Sequence, residues 1–392
     1  MNKTSKPFNI HVSGTDSNSR TRGVKADRNL LAQLCEIDQI LFDFESNQTN
    51  LKQANAMAAT ENSSPPPGQR KFFDLADLEI RKKWIRTLSG DARKTIDASL
   101  KVAVDLGNFR SVAMAPLPGV LDQLLVDFPN FSEVTRLIQM RLTLCRCAPE
   151  RVIRLPPILL AGPPGVGKTA YSKRVAKILG VNFTEIDGAT MTASFSVTGL
   201  DSGYSNCRPG LIWEALNKQD GCMSSLILID EIDKARHSSG ESYLGFLYTL
   251  LERATAQTFQ DGAMLLPVDA SYLLWIATCN ETSGIDPALL SRFEVIHIDQ
   301  PTDIQMQAVV GSIHRELFAT AEWSCAFDVD IPAGVVQSLS RHSPRLIRRT
   351  LEDAYAVAAL ARRRSLTLDD LKQLGSRTQA SQRNPIGFVN TN

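Results

Sequence analysis

The chain reads as an α/β module built on a five-stranded parallel sheet, preceded by a helical N-terminal region and followed by a small all-α domain. Three observations predict this class. The aliphatic run Ile158-Leu159-Leu160-Ala161 leads through the glycine-rich stretch Gly162-Pro163-Pro164-Gly165-Val166-Gly167-Lys168-Thr169 into helical spacing over 171–179. Extended runs at 182–187, 226–229, 272–277 and 294–298 alternate with helical stretches. Several of these are apolar throughout, the mark of strands buried on both faces. From about 300 to 375 the spacing is helical alone.

In chain order, residues 1–70 are mostly polar, so disorder is expected there apart from one helix. That helix is predicted at about 29–44, where Leu30, Leu31, Leu34, Ile37, Ile40, Leu41 and Phe44 recur at three- and four-residue steps. Ser63-Ser64-Pro65-Pro66-Pro67-Gly68 reads as a linker. Residues 71–126 read as a helical N-terminal domain, broken at Ser89-Gly90, at Gly107 and at Pro116-Leu117-Pro118-Gly119. Residues 127–299 form the nucleotide-binding domain, reached through a helix that Ser132 is placed to cap. Within it, Asp261-Gly262 sits between two short extended stretches and predicts a hairpin. Residues 300–375 make the all-α domain and 376–392 a polar tail.

The order strand, glycine-rich turn, helix is what a nucleotide phosphate needs. Glycines let successive backbone N–H groups turn toward phosphate oxygens, and the helix N-terminus adds partial positive charge. The whole stretch Gly162, Pro163, Pro164, Gly165, Val166, Gly167, Lys168 and Thr169 is therefore the expected loop for binding a nucleoside triphosphate. Lys168 reaches the outer phosphates, and the Thr169 hydroxyl is a ligand for Mg²⁺. The run Leu226-Ile227-Leu228-Ile229-Asp230-Glu231 puts two carboxylates at the end of a buried strand, the edge where open α/β sheets bind ligands. Asp230 is the second expected Mg²⁺ holder, and Glu231 the group that orients or deprotonates attacking water.

Composition narrows the setting. A net charge of +1 gives no overall basic field, which makes nucleic acid an unexpected partner. Seven cysteines without paired spacing form neither a disulfide framework nor a zinc site. The N-terminus has no apolar core of signal-peptide length, and no run approaches the ~18 residues of a membrane span. A soluble protein of a reducing compartment, the cytoplasm, is expected.

The phosphate loop, Leu228-Ile229-Asp230-Glu231-Ile232-Asp233-Lys234, Trp275-Ile276-Ala277-Thr278-Cys279-Asn280 and Pro287-Ala288-Leu289-Leu290-Ser291-Arg292-Phe293-Glu294-Val295-Ile296 together resemble an AAA+ ATPase. Within that superfamily the likeness is to the ATPase module of Lon proteases, over roughly 125–376. The resemblance implies a helical lid domain and ATP hydrolysis. It implies that Asn280 is the sensor that helps place the lytic water. It further implies that Arg292 is an arginine finger acting on a neighbouring subunit's nucleotide, hence a ring, expected to be a hexamer. Arg345 resembles the sensor arginine of the lid, although Ser343-Pro344-Arg345 departs from the usual Gly-x-Arg and Arg348 is an alternative. Tyr204 matches the aromatic pore-loop residue that grips a polypeptide, but Ser205 stands where relatives have an aliphatic.

On this resemblance the expected function is an ATP-driven remodeller of protein clients. No peptidase domain is expected, because the sequence ends shortly after the lid. Ile386-Gly387-Phe388 resembles a loop that docks a separate peptidase in related ATPases. Two rival functions remain at this point: a nucleic-acid motor or loader, and an ATP-gated switch or scaffold that works through the 29–44 helix.

Overall fold

A computed structural model describes residues 65–88, 90–191, 193–201, 204, 206–235 and 243–373. The chain divides into units Met1–Thr60 and Glu61–Asn392, and every described residue lies in the second. The expected helix at 29–44, the disorder expected around it, and the tail with Ile386-Gly387-Phe388 lie outside the described residues.

The second unit begins with β1 (Gln69–Lys71), α1 (Leu75–Ile85), α2 (Gly90–Asp105) and β2 (Phe109–Ser111). Next come α3 (Asp122–Asp127) and α4 (Ser132–Cys147). The nucleotide module follows with β3 (Ile158–Ala161), α5 (Lys168–Leu179), β4 (Asn182–Asp187) and β5 (Ser225–Asp230). After β6 (Phe259–Gln260) and β7 (Pro267–Val268), β8 (Leu274–Cys279) and β9 (Glu294–His297) complete the strands. The lid holds α6 (Asp303–Thr320), α7 (Ala333–Leu339) and α8 (Pro344–Leu360).

Five strands pair in the order β4-β5-β8-β3-β9, every pair parallel. All four residues of β3 are buried, as are Ser225 to Ile229 of β5, which is why these runs show no polar alternation. Successive side chains point to opposite faces. Leu159, Ile227, Ile229, Trp275 and Ala277 enter one core, and Ile158, Leu160, Leu226, Leu228 and Ile276 the other. The second core is closed by Tyr171 and Val175 of α5 and by Ile138 and Leu142 of α4.

The first core brings a correction. Residues 71–126 are helical where expected, but they have no core of their own among the described residues. Leu78, Ile85, Ile96 and Leu100 of α1 and α2 pack into the first sheet core, and Leu121 and Leu124 into the second. Periodicity shows that a helix buries one face and is silent about the surface it buries it against. Arg110 pins this addition in place. It is buried, lies 3.7 Å over the Phe72 ring, and donates to the carbonyls of Leu216 at 2.6 Å and Ala103 at 2.9 Å.

Two local expectations also shift. Ser132 does not cap α4: a 3-10 turn at Pro129–Phe131 runs straight into the helix, and Ser132 already has helical angles. The strand expected at 272–277 starts at Leu274, two residues later, because Tyr272 and Leu273 belong to the turn before it. The expected hairpin forms, with Phe259 opposite Val268 around a turn that begins at Asp261.

The lid has a separate core, formed by Met306, Val310, Val335, Leu339, Ile347, Leu351 and Tyr355 among others. Thr302 and Gln305 form a capping box that starts α6, and Pro344 occupies the first turn of α8. A polar contact ties lid to module. Arg315 of α6 reaches the buried carboxylate of Asp127 at 2.6 Å, and Gln123 donates to the same carboxylate at 2.9 Å.

Candidate active site

The phosphate loop joins β3 to α5, and its backbone explains its glycines. Gly167 sits at φ 105 just before the first helical residue, Lys168. This left-handed conformation is strained for any residue with a Cβ. At Gly162 the reason is space: a Cβ there would lie 2.2 Å from the carbonyl oxygen of Ile298. Behind the loop stands an aromatic wall. Phe131 stacks on Tyr171 at 4.5 Å, and Tyr171 shares a 2.9 Å hydrogen bond with Thr135.

Lys168 turns back into this loop. It is buried, and its amine donates to the carbonyls of Gly162 at 2.6 Å and Pro163 at 3.1 Å and to Asn280 Oδ1 at 3.3 Å. Burial pushes this amine below the usual lysine range, opposed by the charges of nearby Asp230, Asp233 and Glu231. No carboxylate forms an ion pair with it among the described residues. A buried cation hydrogen-bonded to neutral oxygens, with acids near but none paired to it, fits an incoming phosphate.

The carboxyl ends of β5 and β8 complete the edge. Thr169 donates to Asp230 Oδ2 at 2.7 Å. Thr278 donates to Asp230 Oδ1, and the Thr278 hydroxyl accepts the N–H of Glu231 at 2.9 Å. Glu231 has left-handed angles, φ 54 and ψ 46, and its half-exposed carboxylate pairs with Lys234 at 2.6 Å. Asp233 Oδ2 accepts the N–H of Asn280 at 3.2 Å, while its Oδ1 is buried without a hydrogen bond. Burial, together with Asp233, pushes the neighbouring Cys279 thiol up to about 11, so it stays neutral.

This donor set suits Mg²⁺. A Thr hydroxyl and one carboxylate are hard oxygen ligands, and Mg²⁺ characteristically takes few protein ligands and fills its octahedron with phosphates and water. Among the described residues no cluster of three or more His, Cys, Asp or Glu could hold a metal alone.

Lys168, Thr169, Asp230, Glu231 and Asn280 thus meet at one sheet edge. Three other expected residues share no hydrogen bond or ion pair with them. Arg292 is held within its own chain, donating to Ala288 O at 2.6 Å, paired with Glu252 at 3.3 Å, and 5.0 Å from the Tyr248 ring. Arg345 is exposed in the first turn of α8 and has no partner among the described residues. Arg348, the alternative, is occupied by Glu316 of α6 at 2.6 Å. Tyr204 is 61% exposed on a loop closed at its base by a bridge between Leu200 and Arg208. That base is anchored by buried Asp261, which accepts the N–H groups of Gly210, Ala263 and Met264.

Sequence reasoning passed over Thr278 and Asp233. A threonine ending a strand is ordinary β composition, and a third acid after Asp230-Glu231 reads as surface. The available signal was parity: in parallel strands paired Ile229 to Ala277, Asp230 and Thr278 fall side by side on one face.

A parallel sheet with a phosphate loop after β3, and an acid at the tip of β5, one strand removed, beside the loop's threonine, defines a phosphate-loop nucleotide-binding module. Residues 158–300 match the family model of the ATPases associated with various cellular activities, AAA. That segment matches the AAA ATPases, and part of the chain is similar to Lon proteases. The peroxisomal Lon protease homolog 2 of Eremothecium gossypii is 39% identical over 158 residues, which span 38% of this chain and 16% of that protein. The mitochondrial Lon protease homolog of Kluyveromyces lactis is 32% identical over 223 residues, spanning 54% of this chain and 20% of that protein. The chain therefore spans about a fifth or less of these two relatives. Among solved structures, the RuvB Holliday junction branch migration motor of Thermotoga maritima aligns over 62% of this chain and 67% of its own, at 16% identity and a TM-score of 0.42.

Proposed function

We propose that this protein is a ring-forming, ATP-driven remodeller of protein clients, with no proteolytic activity in these 392 residues. The observation that carries its ATP chemistry is the continuous hydrogen-bonded edge from Thr169 through Asp230 and Thr278 to Glu231, beside a buried Lys168 that has no ion-pair partner among the described residues.

In this reading Lys168 and the loop N–H groups hold the phosphates. Asp230 and Thr169 hold Mg²⁺, which when bound neutralises charge between phosphate oxygens. Glu231 orients the attacking water and takes its proton, which requires its carboxylate to leave Lys234, an exposed pair of small energy. Asn280, whose main-chain N–H is held by Asp233 and whose Oδ1 accepts from Lys168, is the residue that turns its amide toward the γ-phosphate. Arg345 completes the site from the lid. Arg292 completes it from the next subunit of a hexamer after release from Glu252. Tyr204, exposed on a loop apart from this edge, presents a rigid apolar face to an extended polypeptide.

No helix among the described residues is long and apolar enough to cross a membrane, and the six described cysteines are free. Both fit a reducing aqueous compartment. Cytoplasmic residence is proposed on that basis, although the two relatives carry peroxisomal and mitochondrial names.

One experiment tests client class and assembly together. A Glu231→Gln protein loaded with ATP should sediment as a hexamer and retain a bound polypeptide, while casein incubated with the parent protein and ATP stays intact. A strictly monomeric species with ATP, or ATP turnover by Glu231→Gln at the parental rate, would end this reading.

A further inference from the structure

One hydroxyl lies at the centre of the carboxylate edge, in a motif whose expected role fell to another residue, Asn280. Thr278 ends the apolar stretch of β8 and is fully buried. Its strand neighbour of the same parity, Ile276, and Leu228 of β5 both lie in the core closed by α5. Thr278 and Asp230 therefore project to the side on which Thr169 begins α5. A hydroxyl carries one proton and two lone pairs, and here both capacities are used on consecutive residues. The proton goes to Asp230 Oδ1, and a lone pair accepts the N–H of Glu231 at 2.9 Å. The other Asp230 oxygen accepts from Thr169 at 2.7 Å.

The backbone explains why Glu231 needs this partner. At φ 54 and ψ 46 it has left the strand, in a conformation uncommon for a residue with a side chain. Its N–H takes the Thr278 hydroxyl as acceptor in place of a strand neighbour. Across from it, Gly188 packs so closely that a Cβ would come within 2.7 Å of the Glu231 carbonyl oxygen. The turn is pressed from one side and held by a hydrogen bond from the other.

We infer that Thr278 is a positioning residue for ATP hydrolysis, locking the Asp230 carboxylate and the left-handed turn that aims Glu231. This inference rests on the ATPase reading of the edge. Valine fills the same volume and can make neither bond, whereas serine keeps both.

The test compares Thr278→Val, Thr278→Ser and Glu231→Gln with the parent, measuring kcat and KM for ATP, affinity for a fluorescent ATP analogue, and melting temperature. Thr278→Val should lose about 100-fold in kcat, the scale of a misplaced reacting group. Its KM and analogue affinity should stay within about 3-fold, because Lys168 and the loop still hold the phosphates. Thr278→Ser should recover kcat to within about 3-fold of the parent, since the hydroxyl is retained. Parental kcat in Thr278→Val, or a Thr278→Ser protein as slow as Thr278→Val, overturns the inference. Should Thr278→Val fail to fold, Thr278→Cys takes its place: a thiol packs there but bonds weakly, and a kcat equal to that of Thr278→Ser overturns it equally. If Glu231→Gln stops turnover and Thr278→Val does not, this inference alone falls. If Glu231→Gln turns over at the parental rate, the ATPase reading falls and takes the inference with it.

Discussion

The sheet module and the lid hold their functional side chains in opposite ways. In the module, the side chains of Lys168, Thr169, Asp230 and Asn280 are all hydrogen-bonded at the edge: Lys168 donates to Asn280, and Thr169 and Thr278 donate to Asp230. In the lid, Arg345 stands exposed and without a partner among the described residues, while Arg348 one turn later is spent on Glu316. Preorganised groups lose little freedom when a ligand arrives, whereas a free arginine must be ordered at that moment. The difference teaches that the module's edge is built in advance, whereas the lid's Arg345 would be ordered only by whatever it meets.

The largest effect that would sharpen this contrast is Lys168→Ala. Loss of a charged contact to phosphate should weaken ATP binding by about 100-fold, leaving the lid's stability unchanged. Equilibrium titration with a fluorescent ATP analogue measures it, and near-parental affinity would break the claim that the module's loop does the holding. Next comes Arg345→Ala, expected to slow turnover roughly 10-fold or more with a smaller loss of affinity, as for a group acting on developing charge. Arg348→Ala should instead cost less than about 1 kcal/mol of stability and little turnover, because its pair with Glu316 is exposed. Steady-state kinetics on the two variants decide between them, and the reverse pattern would transfer the sensor role to Arg348.

The smallest effect is the lid's share of the pH dependence. His314 is buried against Tyr355, with a 2.8 Å hydrogen bond between them. Burial first, and then the charge of Arg315, hold its folded pKa below the ordinary 6.5, with Asp330 opposing weakly. Below that ordinary value the unfolded chain takes up a proton that the folded lid refuses. Its contribution is therefore whole above about pH 6.5 and is lost as pH falls through the lower folded pKa. Between pH 7 and pH 5 the urea midpoint of the parent should fall relative to that of His314→Gln, while buried Asp261 of the module, whose carboxyl burial pushes up to about 6, acts oppositely and alike in both proteins. An unchanged slope in the variant would place the acid sensitivity outside the lid.

Legibility differed along the same line. The phosphate loop and the Asp230-Glu231 pair could be read because strand, turn and helix follow one another locally, so spacing alone carries the geometry. Asp127 could not be read as a junction, because its partner Arg315 lies 188 residues away and only folding brings them together. The start of β8 was misplaced because Tyr272 and Leu273 are as apolar as the strand. Its start at Leu274 is set by pairing with Leu226 of β5, a contact that only folding makes. Helices α1 and α2 were visible as helices, yet their periodicity could not say that the sheet itself was their partner.

Gly162 carries one further consequence. Its missing side chain admits the Ile298 carbonyl, while the N–H of Ile298 bonds to Ala161 O at 2.7 Å. Ile298 is also where the chain leaves the sheet for the lid, whose first helix starts at Asp303. The lid's tether therefore begins in direct contact with the root of the phosphate loop. Any swing of the lid would turn on a hinge pin set against the loop itself, with almost no lever arm between them. A methyl group at Gly162 would act as a wedge in that hinge, prising the loop from its pivot while leaving every phosphate-binding side chain in the sequence.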